Sequence, residues 1–222
     1  MVKCTNNKKG ISMKIYKLII IALITTFALC WEWPWSSPSE TKHSLGVELP
    51  KGIHSILYDE SKLIWKGEKA IGDSHTGNIK IKSGEVIIDG FGRVNGRLVI
   101  DMNTINCTDL EGEWKNKLEG HLKSDDFFSV DTYNISTIDF QSIKRNGNLV
   151  DFDGNLTIKD ISHPVSFTAR ISESNEKILA KSKVVFDRSK YNVKYGSGTF
   201  FEDLGDYLIL DEVSLDVTIV IN

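Results

Sequence analysis

Five histidines, His43, His54, His75, His121 and His163, are the side chains of this sequence best suited to move a proton or ligate a metal. Their spacing supports neither use. No pair stands at His-x-His or His-Glu-x-x-His and no Cys-x-x-Cys accompanies them, so no metal site is expected. Nucleophiles fare no better, because Gly196-Ser197-Gly198 lacks the Gly-x-Ser-x-Gly frame that holds a serine at a strand-to-helix turn. Asp151-Phe152-Asp153-Gly154 lacks the ligands of a calcium loop, which leaves its carboxylates as the solvent face of a strand. Two side chains remain. His121 sits in 118–128, Leu-Glu-Gly-His-Leu-Lys-Ser-Asp-Asp-Phe-Phe, at i, i+3, i+4 spacing with Leu118 and Leu122. That spacing puts its ring half under a short helix, where a hydrogen bond to backbone fixes a lid. Arg188, between Phe186 and Tyr191, can hold a ligand's phosphate or pair with Asp187 or Asp211, and the ion pair is the expected role. No catalytic residue is assigned.

What positions these residues is mostly strand. Val150, Phe152, Gly154, Leu156 and Ile158 share one face, while Asp151, Asp153, Asn155 and Thr157 share the other. Val165, Phe167, Ala169 and Ile171 repeat the pattern, as do Ile178, Ala180, Val184 and Phe186 after a turn at 173–177. Upstream, 62–69 and 78–82 read as short strands, and Gly84, Gly90, Gly92 and Gly96 punctuate hairpins over 85–89 and 97–102. The run from Tyr207 through Ile209, Asp211, Val213, Leu215, Val217 and Ile219 to Ile221 keeps parity over a length fit for one bent strand or two joined ones. A helix near 115–122 interrupts the series, and Ser124-Asp125-Asp126 offers a cap or turn after it. Phe127 and Phe128 cannot share a face of an extended strand, so one is expected in the main core and the other against a second apolar surface. Seven or eight one-sided strands joined by short turns suit an antiparallel sheet curled on itself, which removes its unpaired edges.

The beginning of the chain is different. Lys14 and Lys17 precede the apolar run 18–29, which is too short to span a bilayer as a relaxed helix and has the layout of an export leader. Cys30 follows directly, where a lipoprotein carries its acylated first residue; an ordinary leader cut further on is the alternative. Residues 30–50, with Trp31, Trp33, Trp35, serines and prolines, show no period and read as a tether, the tryptophans either at headgroup level or packed on the domain. Residues 51–222 form the domain. Removing 1–29 takes five lysines and no acid from the 27 basic and 30 acidic residues, a net of −8 that argues against nucleic acid. Cys107 then has no partner beyond Cys30, so no disulfide framework holds the domain.

From 61 onward the sequence resembles the YceI-like family. Gly120-His121-Leu122-Lys123-Ser124-Asp125-Asp126-Phe127-Phe128, with Tyr133 and Phe140, is similar to its signature. Trp65-Lys66-Gly67-Glu68-Lys69, His75-Thr76-Gly77-Asn78-Ile79 and Ile100-Asp101-Met102 with Thr104-Ile105 resemble its early strands. Gly154-Asn155-Leu156-Thr157-Ile158-Lys159 with Pro164-Val165, then Phe186-Asp187-Arg188-Ser189-Lys190-Tyr191, resemble its later ones. The chain departs from the family at Ile161-Ser162-His163 and over 196–206. The resemblance implies an all-β, eight-stranded antiparallel lipocalin-like barrel with the short helix closing or flanking one end. It also implies a long isoprenoid chain, polyisoprenoid or quinone-like, held inside the barrel as a ligand rather than a cofactor. Ile100, Met102, Phe127, Phe128, Phe140, Phe152, Phe167, Val184 and Phe186 are the expected lining, though singly each suits a packed core, and His121 and Arg188 are the candidates near a headgroup. The expected protein is an exported, non-enzymatic binder in the periplasm or on the outer membrane of a bacterium, tethered there if Cys30 is acylated. A homodimer stays open. The competing reading is a solidly packed barrel that docks an envelope partner, and a headgroup enzyme built on His121 comes third.

Overall fold

Side chains that alternate with period two make strands with one apolar face, and long strands of that kind bury the face only by curling round it. The structure, a computed structural model, describes residues 46–222; the leader, Cys30, the three tether tryptophans and His43 lie outside the described residues. Nine strands form one antiparallel sheet: β1 (Gly52–Ser55), β2 (Lys62–Glu68), β3 (Ser74–Ile88), β4 (Val94–Cys107), β5 (Ile135–Asn146), β6 (Leu149–Ile158), β7 (Ile161–Ser174), β8 (Lys177–Asp187) and β9 (Glu212–Ile221). Closure runs β2-β9-β8-β7-β6-β5-β4-β3 and back to β2, an eight-stranded barrel. The ninth strand does not widen it. β2 pairs with the first half of β3 and β1 with the second half, and Ile56 bridges to Ile221, so β1 and β2 share one stave. Two of the hairpins turn on two residues at positive φ without glycine, Lys159-Asp160 and Asn175-Glu176, the primed turns whose twist matches the strands.

The helix α1 (Gly112–Lys123) extends beyond the 115–122 that its apolar spacing indicates, and within it Glu119 and Lys115 add polar ties to β4. Glu119 Oε1 accepts the Cys107 amide at 2.8 Å and Lys115 Nζ donates to Asn106 Oδ1 at 2.9 Å. Ser124 ends the helix, its hydroxyl donating to the His121 carbonyl at 2.8 Å.

Four expectations change. Gly84 and Gly96 do not interrupt strands: β3 and β4 run through them, bent by register shifts at 78–80 and 81–83, and both glycines admit close packing. A Cβ on Gly96 would stand 2.4 Å from the Phe140 ring. The last strand is β9 alone, and Tyr207, parity notwithstanding, sits in a 3-10 turn with 78% of its surface exposed. Phe127 and Phe128 lie in the turn after α1 rather than in a strand, so both reach the same interior, 6.4 Å apart. The tether also ends sooner, since Val47 and Leu49 already pack on the barrel and the Val47 amide donates to Asn148 Oδ1 at 2.7 Å.

Gly77 is the tightest approach. A Cβ there would lie 2.0 Å from the Asn106 carbonyl oxygen and 2.4 Å from the Trp65 ring, and backbone on the partner strand cannot step aside. Gly77→Ala is therefore expected to lower stability by about 1–3 kcal/mol through overpacking, read as a lower midpoint in denaturant unfolding with an unchanged slope.

Candidate functional site

Curling eight strands leaves an interior that inward side chains either fill or line. Here they line it. A cavity of about 710 Å³ occupies the barrel, within the range of about 300–1,000 Å³ typical of ligand pockets, so the barrel is not the solidly packed one of the competing reading. All nine expected lining residues stand on its wall: Ile100, Met102, Phe127, Phe128, Phe140, Phe152, Phe167, Val184 and Phe186. Three strands supply its aromatic floor, Phe152 stacked on Phe167 at 5.3 Å and Phe140 edge-on to both. Leu118, His121 and Leu122 present the face of α1 that their spacing indicated, while Leu63, Trp65, Leu215 and Val217 complete the wall from β2 and β9. At the end opposite the aromatic floor, on the same side as His121, the lining reaches Phe201, Leu204, Tyr207 and Leu210, of which Phe201, Tyr207 and Leu210 are exposed, and the cavity opens there.

Sequence reasoning missed that mouth. Its residues come from the stretch after β8, where Phe200-Phe201 and Leu204 were the signal, large apolar side chains in a segment with no strand parity to bury them, and where Tyr207 read as the start of the last strand. It missed Trp65 as lining too. The Trp65 indole N–H is buried and has no hydrogen-bond partner among the described residues.

Arg188 lies beside the cavity but is turned into the protein. Only 2% exposed, it donates Nε–H to the Leu210 carbonyl at 3.1 Å, Nη1 to Val193 and Tyr195 at 3.1 and 2.9 Å, and Nη2 to Ile209 at 3.0 Å. Asp211 Oδ1 stands 3.3 Å from Nη2 as a charge neighbour, while Asp187 instead caps the following turn by accepting from the Ser189 amide and hydroxyl. Burial pushes the guanidinium pKa below its ordinary value, and the Asp211 and Asp187 charges oppose that. With its donors taken by four carbonyls, Arg188 is a clamp that gathers the mouth segment onto β8, and it is not available to a headgroup. His121 does line the cavity. Its ring packs edge-on against Phe127 at 4.9 Å and Tyr195 at 4.4 Å, and Nε2 faces Asp126 Oδ2 at 3.4 Å, so its partner is a carboxylate rather than the expected backbone group.

Of the other described histidines, His54 ties Asn222 and Pro50 carbonyls and His163 the Lys190 carbonyl, all away from the cavity. His75 belongs to a second polar cluster. Its Nδ1 is 2.9 Å from Asp109 Oδ2, while Asp109 Oδ1 accepts from the Thr76 amide at 3.0 Å and from the fully buried Cys107 thiol at 3.0 Å. Burial pushes the Cys107 thiol up, and its bond to Asp109 pushes it further, which disfavours the thiolate a nucleophile would need. Nor does the cluster make a metal centre; no metal-ligating set of three forms among the described residues. For Asp109, burial acts to raise the pKa, yet the bonds from Cys107, His75 and Thr76 outweigh it and hold the carboxyl at about 2. A carboxyl depressed below its unfolded value adds stability above that value and loses it as pH falls through the folded one. Unfolding free energy should therefore drop between about pH 4 and pH 2 more steeply in the wild type than in Asp109→Asn, and equal slopes in acid titrations of the two would refute the assignment.

The profile of the YceI-like domain family matches residues 55–221, three-quarters of the chain. Curated relatives include a UPF0312 protein of Pseudomonas aeruginosa and protein YceI of Shigella flexneri, each 31% identical over 68 residues, 31% of this chain and 35% of the relative. The matched stretch thus spans about a third of those relatives. Among solved structures, BcnA of Burkholderia cenocepacia superposes with a TM-score of 0.59 at 21% identity, covering 73% of this chain and 96% of that one. A polyisoprenoid-binding domain from Saccharophagus degradans, implicated in plant cell wall breakdown, gives 0.55 at 17% identity, covering 76% and 97%. Ordered motifs, a closed eight-stranded barrel and the profile over its whole length agree that this chain belongs to the YceI-like family.

Proposed function

We propose that this protein sequesters or carries a long-chain amphiphile, a polyisoprenoid or isoprenoid quinone, with the chain in the barrel and the headgroup near the mouth. The observation that carries the reading is the apolar cavity of about 710 Å³ lined from every strand of the closed barrel. Each methylene moved into such a slot contributes about 0.8 kcal/mol, so affinity needs few polar contacts, in keeping with walls built from phenylalanine and aliphatic side chains. The binding named for the Saccharophagus degradans domain, which shares the fold, supports the same class of ligand. Binding rather than catalysis fits the polar groups: Arg188 is committed to carbonyls and the Cys107 thiol is buried. An export leader over 1–29 and acylation of Cys30 would place the barrel in the bacterial envelope, where such lipids reside. Calorimetric titration of the full chain with a polyprenol should show saturable 1:1 binding with a negative heat-capacity change. Heat that never saturates, or is matched by a short-chain alcohol, would overturn the reading.

A further inference from the structure

The mouth holds a polar recess that neither the tail nor His121 explains. His75 faces Gly67 directly across β2 and β3, and both line the cavity. Nothing stands within 4 Å of where a Gly67 Cβ would be, so the strand opposite His75 presents no side chain and leaves open space at that position. On its other side, Nδ1 lies 2.9 Å from Asp109 Oδ2. An ionised carboxylate only accepts, so the shared proton belongs to Nδ1, and in the neutral ring Nε2 is left as an acceptor. Nε2 has no hydrogen-bond partner among the described residues. Asp109 is itself held by the Thr76 amide and the Cys107 thiol, which fixes the carboxylate and through it the imidazole plane.

We infer that His75, oriented by Asp109 and opposite the bare backbone of Gly67, is the headgroup subsite, and that it selects an uncharged hydroxyl, an alcohol or quinol, over a phosphate. This rests on the tail-binding reading above. A hydroxyl donates to Nε2, whereas a phosphate would meet the Asp109 charge behind the ring and the Glu68 and Asp73 carboxylates at the same mouth. Of the cations lining the cavity among the described residues, Lys69 stands 3.7 Å from Asp73 and Arg188 is committed to carbonyls, while Lys66 beside them pairs with Glu68.

The test compares three lipids of equal isoprenoid length, the free alcohol, its methyl ether and its monophosphate, on the full chain. The ether keeps the oxygen but cannot donate. The alcohol is expected to bind about tenfold tighter than the ether, the worth of one hydrogen bond in a water-poor site, and tighter still than the phosphate. In His75→Phe, checked for its barrel spectrum, the alcohol's advantage should vanish, and in His75→Gln, which restores an acceptor, part of it should return. Equal binding of alcohol and ether by the wild type, or preference for the phosphate, overturns the subsite while leaving the tail reading intact. No binding of any of the three overturns both.

Discussion

Replacing Arg188 by methionine is expected to lower the unfolding free energy by about 3–5 kcal/mol, the largest stability loss from any single side chain here. The volume is nearly kept, so the loss comes from polar groups left behind. The carbonyls of Val193, Tyr195, Ile209 and Leu210 all lose a charged donor, and Asp211 loses its neighbouring charge in a site where the side chain is 21% exposed. Arg188→Lys should rescue little, since one ammonium cannot reach acceptors arranged round a planar fork. The carbonyls belong to the segment that frames the mouth, so the loss should appear there first as faster amide exchange over 193–210. Guanidinium unfolding gives the total, and a change below about 1 kcal/mol would show that the clamp is dispensable.

Ala180→Phe is expected to abolish most lipid affinity without harming the fold. Ala180 lies on β8 between Ile171 and Ile219, and its methyl faces the cavity. A benzyl group there takes the room of about three methylenes, which at about 0.8 kcal/mol each is a loss of some 2.4 kcal/mol, about 60-fold in affinity. Filling a void inside a folded barrel holds or raises its stability, so the melting temperature should not fall. Lipid titration and thermal unfolding on one preparation separate the outcomes: lost affinity with an unchanged melt supports a tail lying past β8, and unchanged affinity excludes it.

The strand parity that made the fold legible is local information. Val150, Phe152, Leu156 and Ile158 read as one buried face because their neighbours are Asp151, Asp153, Asn155 and Thr157, and nothing distant alters that. Leu118, His121 and Leu122 were legible for the same reason, three positions on one helical stripe. What failed depended on partners far along the chain. Gly84 and Gly96 look like turns in sequence, and only the Ile56 and Phe140 side chains beside them reveal interior strand positions. The parity of Tyr207 and Ile209 with β9 was accidental, since the Arg188 clamp pulls the Ile209 and Leu210 carbonyls out of a continuous strand. Arg188 itself was read through the nearest acids, whereas its main partners are main-chain carbonyls, which every residue carries and no pattern marks. His75 appeared only among the five histidines and in a family motif, and the Asp109 that orients it comes from just past the end of another strand, 34 residues away.

Native mass spectrometry of the full chain, purified without detergent from a bacterial host, tests the lipid-carrying account most directly. The account predicts a persistent added mass, released by organic extraction and identified as an isoprenoid lipid, that is lost in Ala180→Phe. A bare protein mass that stays unchanged after incubation with polyprenyl alcohols and quinones would contradict it.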